Sequence, residues 1–413
     1  MYKTILALIF LFYSSFLCAQ TNAPSKPLKN KISNFRLFKK PSTTVPENSS
    51  QNDCNCTTTP CDNTEKLLPS ARNCIFNVCE NPKAGYFTKL NFIYFQPKED
   101  GFEFVAKNKV TTAAPTNSLI NLDTKIISPK ASWDPGFKAG LGFYIPRLCW
   151  DVFLNWTRLH SDSYKHVYEA RNNVSGGLIP LFWKTGAFSD QGSPVRFSSS
   201  SSTWHFYFNT LDFEMGDSFF VSNYLSFRIH GGVKGAIIHQ KLDINYGDGN
   251  DIDGASSTTI RIQSGQAKFK SDSKGLGPRI GIDSTWNIKN SDFNILTNGS
   301  IAFLLTRFDM RYHEEDRALN IDTSNDLFEE YKIHEYVWVV RPLAQLFCGL
   351  NWGCCFGKDK SFYLGCNAGY EMQYFWEQNL SRRLIDDQLE GLTYPNKGDL
   401  FLHGANISVR FEF

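Results

Sequence analysis

The sequence lacks the features that mark most familiar classes. Beyond the first twenty residues no apolar run approaches the roughly 20 residues a membrane-spanning helix requires, which excludes a helical membrane protein. Net charge is nearly absent, since 43 Lys and Arg stand against 41 Asp and Glu to leave +2. That balance supplies no field to gather nucleic acid or an acidic substrate, and nucleic acid is not an expected partner. There is no Cys-x-x-Cys pair and no His near the cysteine cluster, so the common zinc patterns are missing. Gly275-Leu276-Gly277 opens a strand-like segment without a Lys or a helix after it, which excludes a phosphate loop. No cofactor is implied. What the chain does have is rings: 35 Phe, 17 Tyr and 9 Trp, or 15% aromatics, ask for many amphipathic or buried surfaces.

The first twenty residues carry one charge, Lys3, then an apolar stretch from Ile5 to Phe16 and the sequence Leu17-Cys18-Ala19-Gln20. This predicts a signal peptide over 1–19 and an exported chain; lipid modification at Cys18 is the alternative. Residues 20–84 show neither helical nor strand periodicity, and are expected to be a flexible, Cys-rich periplasmic extension. Lys26 to Lys40 is basic without an acid, a solvated linker or a contact for anionic envelope polymer. Cys54, Cys56, Cys61, Cys74 and Cys79 are disulfide candidates in an oxidising compartment. Their odd number leaves open a locally stapled tail, covalent links to neighbouring envelope proteins, or metal binding.

From residue 85 the pattern turns to alternation. Trp133, Pro135, Phe137, Ala139, Leu141 and Phe143 fall at every second position, with Lys138 and glycines between; Trp150, Val152, Leu154 and Trp156 alternate with Asp151, Phe153 and Asn155. Leu225, Phe227, Ile229, Val233 and Ile237 oppose Ser226, Arg228, His230 and Lys234, and the pattern recurs around 276–288, 362–373 and 401–413. Such strands are longer than the five or six residues usual in soluble sheets. Short connections near 145–149, 216–222 and 289–292 alternate with long ones at 161–202, 241–274, 311–333 and 377–397, and Trp133, Trp150, Trp156, Trp204, Trp286, Trp338, Tyr370 and Tyr374 lie toward strand ends. These features predict an all-β transmembrane antiparallel barrel over 85–413, with long extracellular loops, short periplasmic turns and an aromatic girdle.

Candidate strands lie near 85–108, 119–145, 149–160, 203–215, 223–240, 275–289, 292–310, 334–349, 360–376 and 398–413, giving about ten, with twelve as the alternative. Pro97 to Gly101 reads as a bend in a long first strand, and Asn209 with Leu211 on one face reads as a bulge in 203–215.

The run Trp133-Asp134-Pro135-Gly136-Phe137-Lys138-Ala139-Gly140-Leu141-Gly142-Phe143, with Trp150-Asp151, Asn155-Trp156-Thr157 and Gly275 to Gly281, resembles the pore-forming outer-membrane proteins typified by the Legionella major outer membrane protein, abundant also in Chlamydia-like bacteria. The terminal Phe411-Glu412-Phe413 completes the likeness. The resemblance implies a porin or envelope scaffold of the bacterial outer membrane, with Phe413 as a signal to the barrel-assembly machinery and disulfide-linked envelope proteins as partners. Outer-membrane lipid and lipopolysaccharide are the expected surroundings.

The expected pore lining is Lys138, Asp151, Asn155, Arg228, Lys234, Arg279, Asp283, Arg341, Glu371 and Arg410, joined by Lys89, Asp134 and Glu412. Those charges suit passive diffusion of ions and small solutes, or they pair and fill a narrow barrel, with a segment such as 161–202 folding in. Inward glycines, such as Gly140, Gly142, Gly277 and Gly281, signal open space or relief of crowding. The alternative functions are a cross-linked structural protein or a surface adhesin. An enzyme is not expected, since His230 with Ser226, His205 and His403 form no clear catalytic group.

Overall fold

A computed structural model describes residues 85–112, 121–145, 150–169, 177–183, 195–222, 224–253, 259–288, 291–356, 362–384 and 393–413. The expected signal peptide, the 20–84 extension and the cysteines from Cys54 to Cys79 lie outside the described residues. The chain divides into two units, Met1–Thr64 and Glu65–Phe413, and every described residue belongs to the second.

Among the described residues there is no helix, and the strands are β1 (Tyr86–Glu99), β2 (Val105–Thr112), β3 (Asn121–Ile127), β4 (Asp134–Ile145), β5 (Trp150–Tyr168), β6 (Gly177–Pro180), β7 (Phe197–Ser222), β8 (Leu225–Gly249), β9 (Asp251–Asp253), β10 (Thr259–Asn287), β11 (Phe293–Asn320), β12 (Asn325–Phe356), β13 (Phe362–Leu384) and β14 (Thr393–Glu412). A ring of 10 closes in the order β1, β4, β5, β7, β8, β10, β11, β12, β13, β14 and back to β1, every pairing antiparallel. At the seam Tyr86 and Phe413 exchange both backbone hydrogen bonds at 2.9 Å. Closure matters because each unpaired amide in hydrocarbon costs several kcal/mol. The ring size is the expected one, and β2, β3, β6 and β9 are short additions outside it.

Along each strand the outer face changes from apolar to charged, and the cross-strand partners trace how this border runs obliquely across the tilted strands. Trp156, Leu211, Gly235, Leu276, Leu305 and Val340 are successive cross-strand partners on the outer face of β5, β7, β8, β10, β11 and β12. One row further from the chain termini stand Arg158, Asn209, Ile237, Lys274, Arg307 and Trp338. The next row is His160, Tyr207, His239, Asp272, Asp309 and Tyr336, and the one after it Asp162, His205, Lys241, Lys270, Arg311 and His334. Within two rows the outer face thus passes from wholly apolar to charged. Below the edge Leu225, Phe227, Ile229 and Val233 on β8 face outward, as a lipid-exposed wall requires.

Above that edge the alternation inverts. The inward positions become apolar, with Trp204, Phe206 and Phe208 on β7, Ile238, Leu242 and Ile244 on β8, and Phe308 and Met310 on β11 all buried in one core cluster. Strands of 25 residues in β8, 29 in β10, 28 in β11 and 32 in β12 far exceed the roughly 9–11 that cross a bilayer. The segments expected as long loops at 241–274, 311–333 and 377–397 are therefore largely strand among the described residues, and 161–202 contributes the end of β5, β6 and the start of β7. They form an extension built like a soluble sheet, polar outside and apolar inside.

Four further expectations change. The stretch Pro97 to Gly101 ends β1 instead of bending it: Gly101 adopts φ 86° in the turn, and the side-chain amides of Asn379 and Asn396 donate to the carbonyls of Asp100 (3.1 Å) and Gly101 (2.6 Å). The segment expected at 119–145 divides into β3 and β4. No bulge interrupts 203–215, whose pairing with β5 and β8 is continuous; Asn209 shares a face with Leu211 because the lipid edge passes between them. Trp204 leaves the girdle and is buried inside.

Candidate functional site

At membrane depth the inner wall is polar. Lys138 on β4 meets Glu371 on β13 at 2.5 Å, and Glu371 also accepts from Gln345 (2.9 Å), Gln373 (2.8 Å) and Asn406 (2.6 Å). On the opposite side Arg228 grips both oxygens of Asp151 (2.5 and 2.7 Å) and reaches Asp283 (2.9 Å) and Glu214 (3.3 Å). Arg279 bonds Glu214 and approaches Asp212 to 3.4 Å, while Lys234 holds Asp212 at 2.7 Å. His230 stands between Glu214 (3.4 Å) and Asp283 (3.6 Å). Near the termini Arg410 pairs with Glu412 (2.6 Å) and Tyr144 and lies 4.2 Å from the Phe87 ring centroid.

Of the residues expected to line a pore, Lys138, Asp151, Arg228, Lys234, Arg279, Asp283, Glu371 and Arg410 join this inward network. Asn155 also faces inward, where a Cβ on Gly140 would meet its Oδ1 at 3.3 Å. Arg341 is the exception: it sits higher, 1% exposed, 5.3 Å from the ring centroids of both Phe308 and Phe375. Sequence reasoning missed Asp212 and Glu214, because the imagined bulge in 203–215 hid the clean alternation of Thr210, Asp212 and Glu214. With them the inward cations Lys89, Lys138, Arg228, Lys234, Arg279 and Arg410 are matched one for one by Asp151, Asp212, Glu214, Asp283, Glu371 and Glu412.

The inward glycines make contact instead of opening space. A Cβ on Gly142 would strike the Phe87 ring, and one on Gly140 the Phe153 ring. A Cβ on Gly277 would run into the carbonyl of Phe303 on β11, so the backbones approach there as only glycine allows.

Above the network the lumen is filled. Phe102, between β1 and β2, lies edge-on to Trp204 (5.7 Å) and Phe269 (5.9 Å). From 161–202, Phe182 and Trp183 enter the core. Trp183 packs 4.6 Å from Phe197 and donates its indole N–H to Asp316 at 2.5 Å. Tyr246 donates to the Phe104 carbonyl at 2.6 Å, and Tyr312 to Glu314 at 2.5 Å. Burial and the adjoining Glu314 carboxyl push Asp316 up to about 9, so it holds its proton at neutral pH.

His205 and His403 face outward, where they bond Asp162 (2.6 Å) and Tyr370 (2.5 Å). One grouping outside the lumen has the spacing of a divalent-cation site: His313, Glu315 and Glu330, with ligand atoms within 4.8 Å of one another. Among the described cysteines Cys355 is disulfide-bonded, whereas Cys348, Cys354 and Cys366 carry free thiols.

A closed ring, apolar outside and charged inside over one membrane-deep belt, is an outer-membrane β-barrel. Residues 79–413 match the family of the Legionella pneumophila major outer membrane protein precursor, and the chain belongs to that family in the outer membrane. Solved structures similar to it include the outer membrane protease OmpT of Escherichia coli (7% identity, 81% of this chain and 99% of that one, TM-score 0.31). A Pseudomonas aeruginosa FadL homologue is 9% identical over 80% of this chain and 90% of its own, with TM-score 0.22. The toluene transporter TodX of Pseudomonas putida is 8% identical over 80% and 90%, with TM-score 0.17. No curated protein sequence matches.

Proposed function

We propose that the protein is a porin-like barrel for passive diffusion of ions and small solutes, and that the conformation described is its closed state. The observation that carries this reading is the charge-matched lining of the membrane-deep lumen: charged groups taken out of water cost several kcal/mol each, and twelve of them along one belt suit an interior that water can enter. Equal numbers of each sign predict weak ion selectivity. The apolar plug of Phe102, Phe104, Phe182 and Trp183 is the barrier that must move. On this reading the chain is not an enzyme, and His230 serves the ion-pair network.

The filled upper lumen favours a second reading, a structural envelope protein with little conductance. Planar-bilayer recording separates the two. The refolded chain should show rare, small steps, and the Phe182→Gly, Trp183→Gly variant frequent ones. If both stay silent while gels show the heat-sensitive mobility of a folded barrel, the structural reading stands.

A further inference from the structure

The outer wall just above the lipid edge has a pattern that neither the fold nor the lumen requires. Arg158, Lys274 and Arg307 occupy the first row beyond the apolar one, and Lys241, Lys270 and Arg311 the third. The third row is partly offset, since Lys241 meets Asp243 (2.6 Å), Lys270 meets Asp272 (3.2 Å) and Arg311 meets Asp309 (3.1 Å), each pair leaving the ammonium or guanidinium open on its outer side, whereas Arg307 in the first row has no carboxylate partner among the described residues. Arg158 and Lys274 form no ion pair with a described residue, and both are exposed. An open depression of about 530 Å³ lies in the same wall, lined by His205, Tyr207, His239, Lys241, Lys270 and Asp272.

Depth identifies what such a wall meets. Rows two residues apart on strands tilted about 40° stand roughly 5 Å apart along the membrane normal. Along β10 itself, Lys274 and Lys270 therefore stand about 5 and 15 Å above Leu276. Phospholipid headgroups add only about 5–7 Å per leaflet to the hydrocarbon, so the upper cations stand too high for them. A headgroup built of sugars that carry phosphates extends through both levels.

We propose that the wall of β7, β8, β10 and β11 above the lipid edge is a docking site for the phosphates of an outer-leaflet phosphorylated glycolipid of the lipid A type, seated in the depression between Lys241 and Lys270. Lys274 and Arg307 meet the lower phosphate, and the paired lysines the upper one, as point charges suited to phosphate. Tyr207 offers an exposed ring between the two levels.

The test uses the full chain in detergent, with bisphosphorylated lipid A, its dephosphorylated form and inorganic phosphate as probes, and native mass spectrometry to count bound lipid. Bisphosphorylated lipid A should bind at least tenfold tighter than the dephosphorylated form. The Lys241→Gln, Lys270→Gln variant should erase that difference, and Lys98→Gln, on β1 across the barrel, should preserve it. Should the first variant lose the heat-sensitive mobility of a folded barrel, Lys274→Gln with Arg307→Gln decides. Equal binding of both lipid forms, or undiminished binding by the folded variants, overturns the proposal. Displacement of lipid A by millimolar inorganic phosphate would assign the depression to the free ion and overturn it equally.

Discussion

Lys138 and Glu371, 233 residues apart in sequence, meet at 2.5 Å inside the barrel, both almost fully buried. Their strands are separated in the ring by β1 and β14, so the pair spans the lumen and ties together walls that share no backbone ladder. Glu371 has three amide donors besides, which is the kind of satisfaction a buried ion pair needs to repay its desolvation.

Removing one partner strands the other. Lys138→Met leaves the Glu371 carboxylate uncompensated and should cost about 3–5 kcal/mol, read as an earlier urea midpoint in lipid vesicles. Adding Glu371→Gln should restore most of the loss. If the single variant unfolds with the wild type, the pair contributes nothing.

Alkaline pH should loosen the plug. Asp316 has its carboxyl raised to about 9 by burial and by Glu314, against an ordinary value near 3.9. Because the folded value lies above the unfolded one, its contribution is complete below about pH 4 and is lost progressively as pH rises through 9. Ionisation sets two carboxylates side by side beneath Trp183. Thermal midpoints from pH 6 to 10 should fall for the wild type, and Asp316→Asn should flatten that slope. A parallel slope in the variant refutes the assignment.

Two glycines should respond oppositely to one methyl group. At Gly277 a Cβ collides with the Phe303 carbonyl, whereas at Gly235 the nearest atoms lie at an ordinary 3.8 Å. Gly277→Ala should lose about 1–3 kcal/mol or more by forcing β10 from β11, and Gly235→Ala should fold as the parent does. Refolding yield and urea midpoints read both.

Much of the barrel was legible in the sequence, because a wall between lipid and a polar interior writes itself as alternation. Leu225 to Ile237 against Arg228 and Lys234 gave strand, face and orientation together. The extension above the edge was hidden by the same logic: between Ile237 and Ile238 the apolar residues change faces, and a reader following one phase sees the strand end and a loop begin. Asp212 and Glu214 were lost to that phase change on β7. The meeting of Trp183 with Asp316, and the rows that bring Lys241 beside Lys270, depend on register between strands, which one sequence does not display.

The sharp border between Leu276 and Lys274, repeated at Leu305 and Arg307, fixes how high the barrel floats. Sinking by one row would drag Lys274 and Arg307 into hydrocarbon, at about 2–4 kcal/mol for each at full depth. Rising by one row would bare Leu276 and Leu305 to water. A thinner or thicker bilayer must therefore deform to meet this protein, since the protein has no second resting height to offer it.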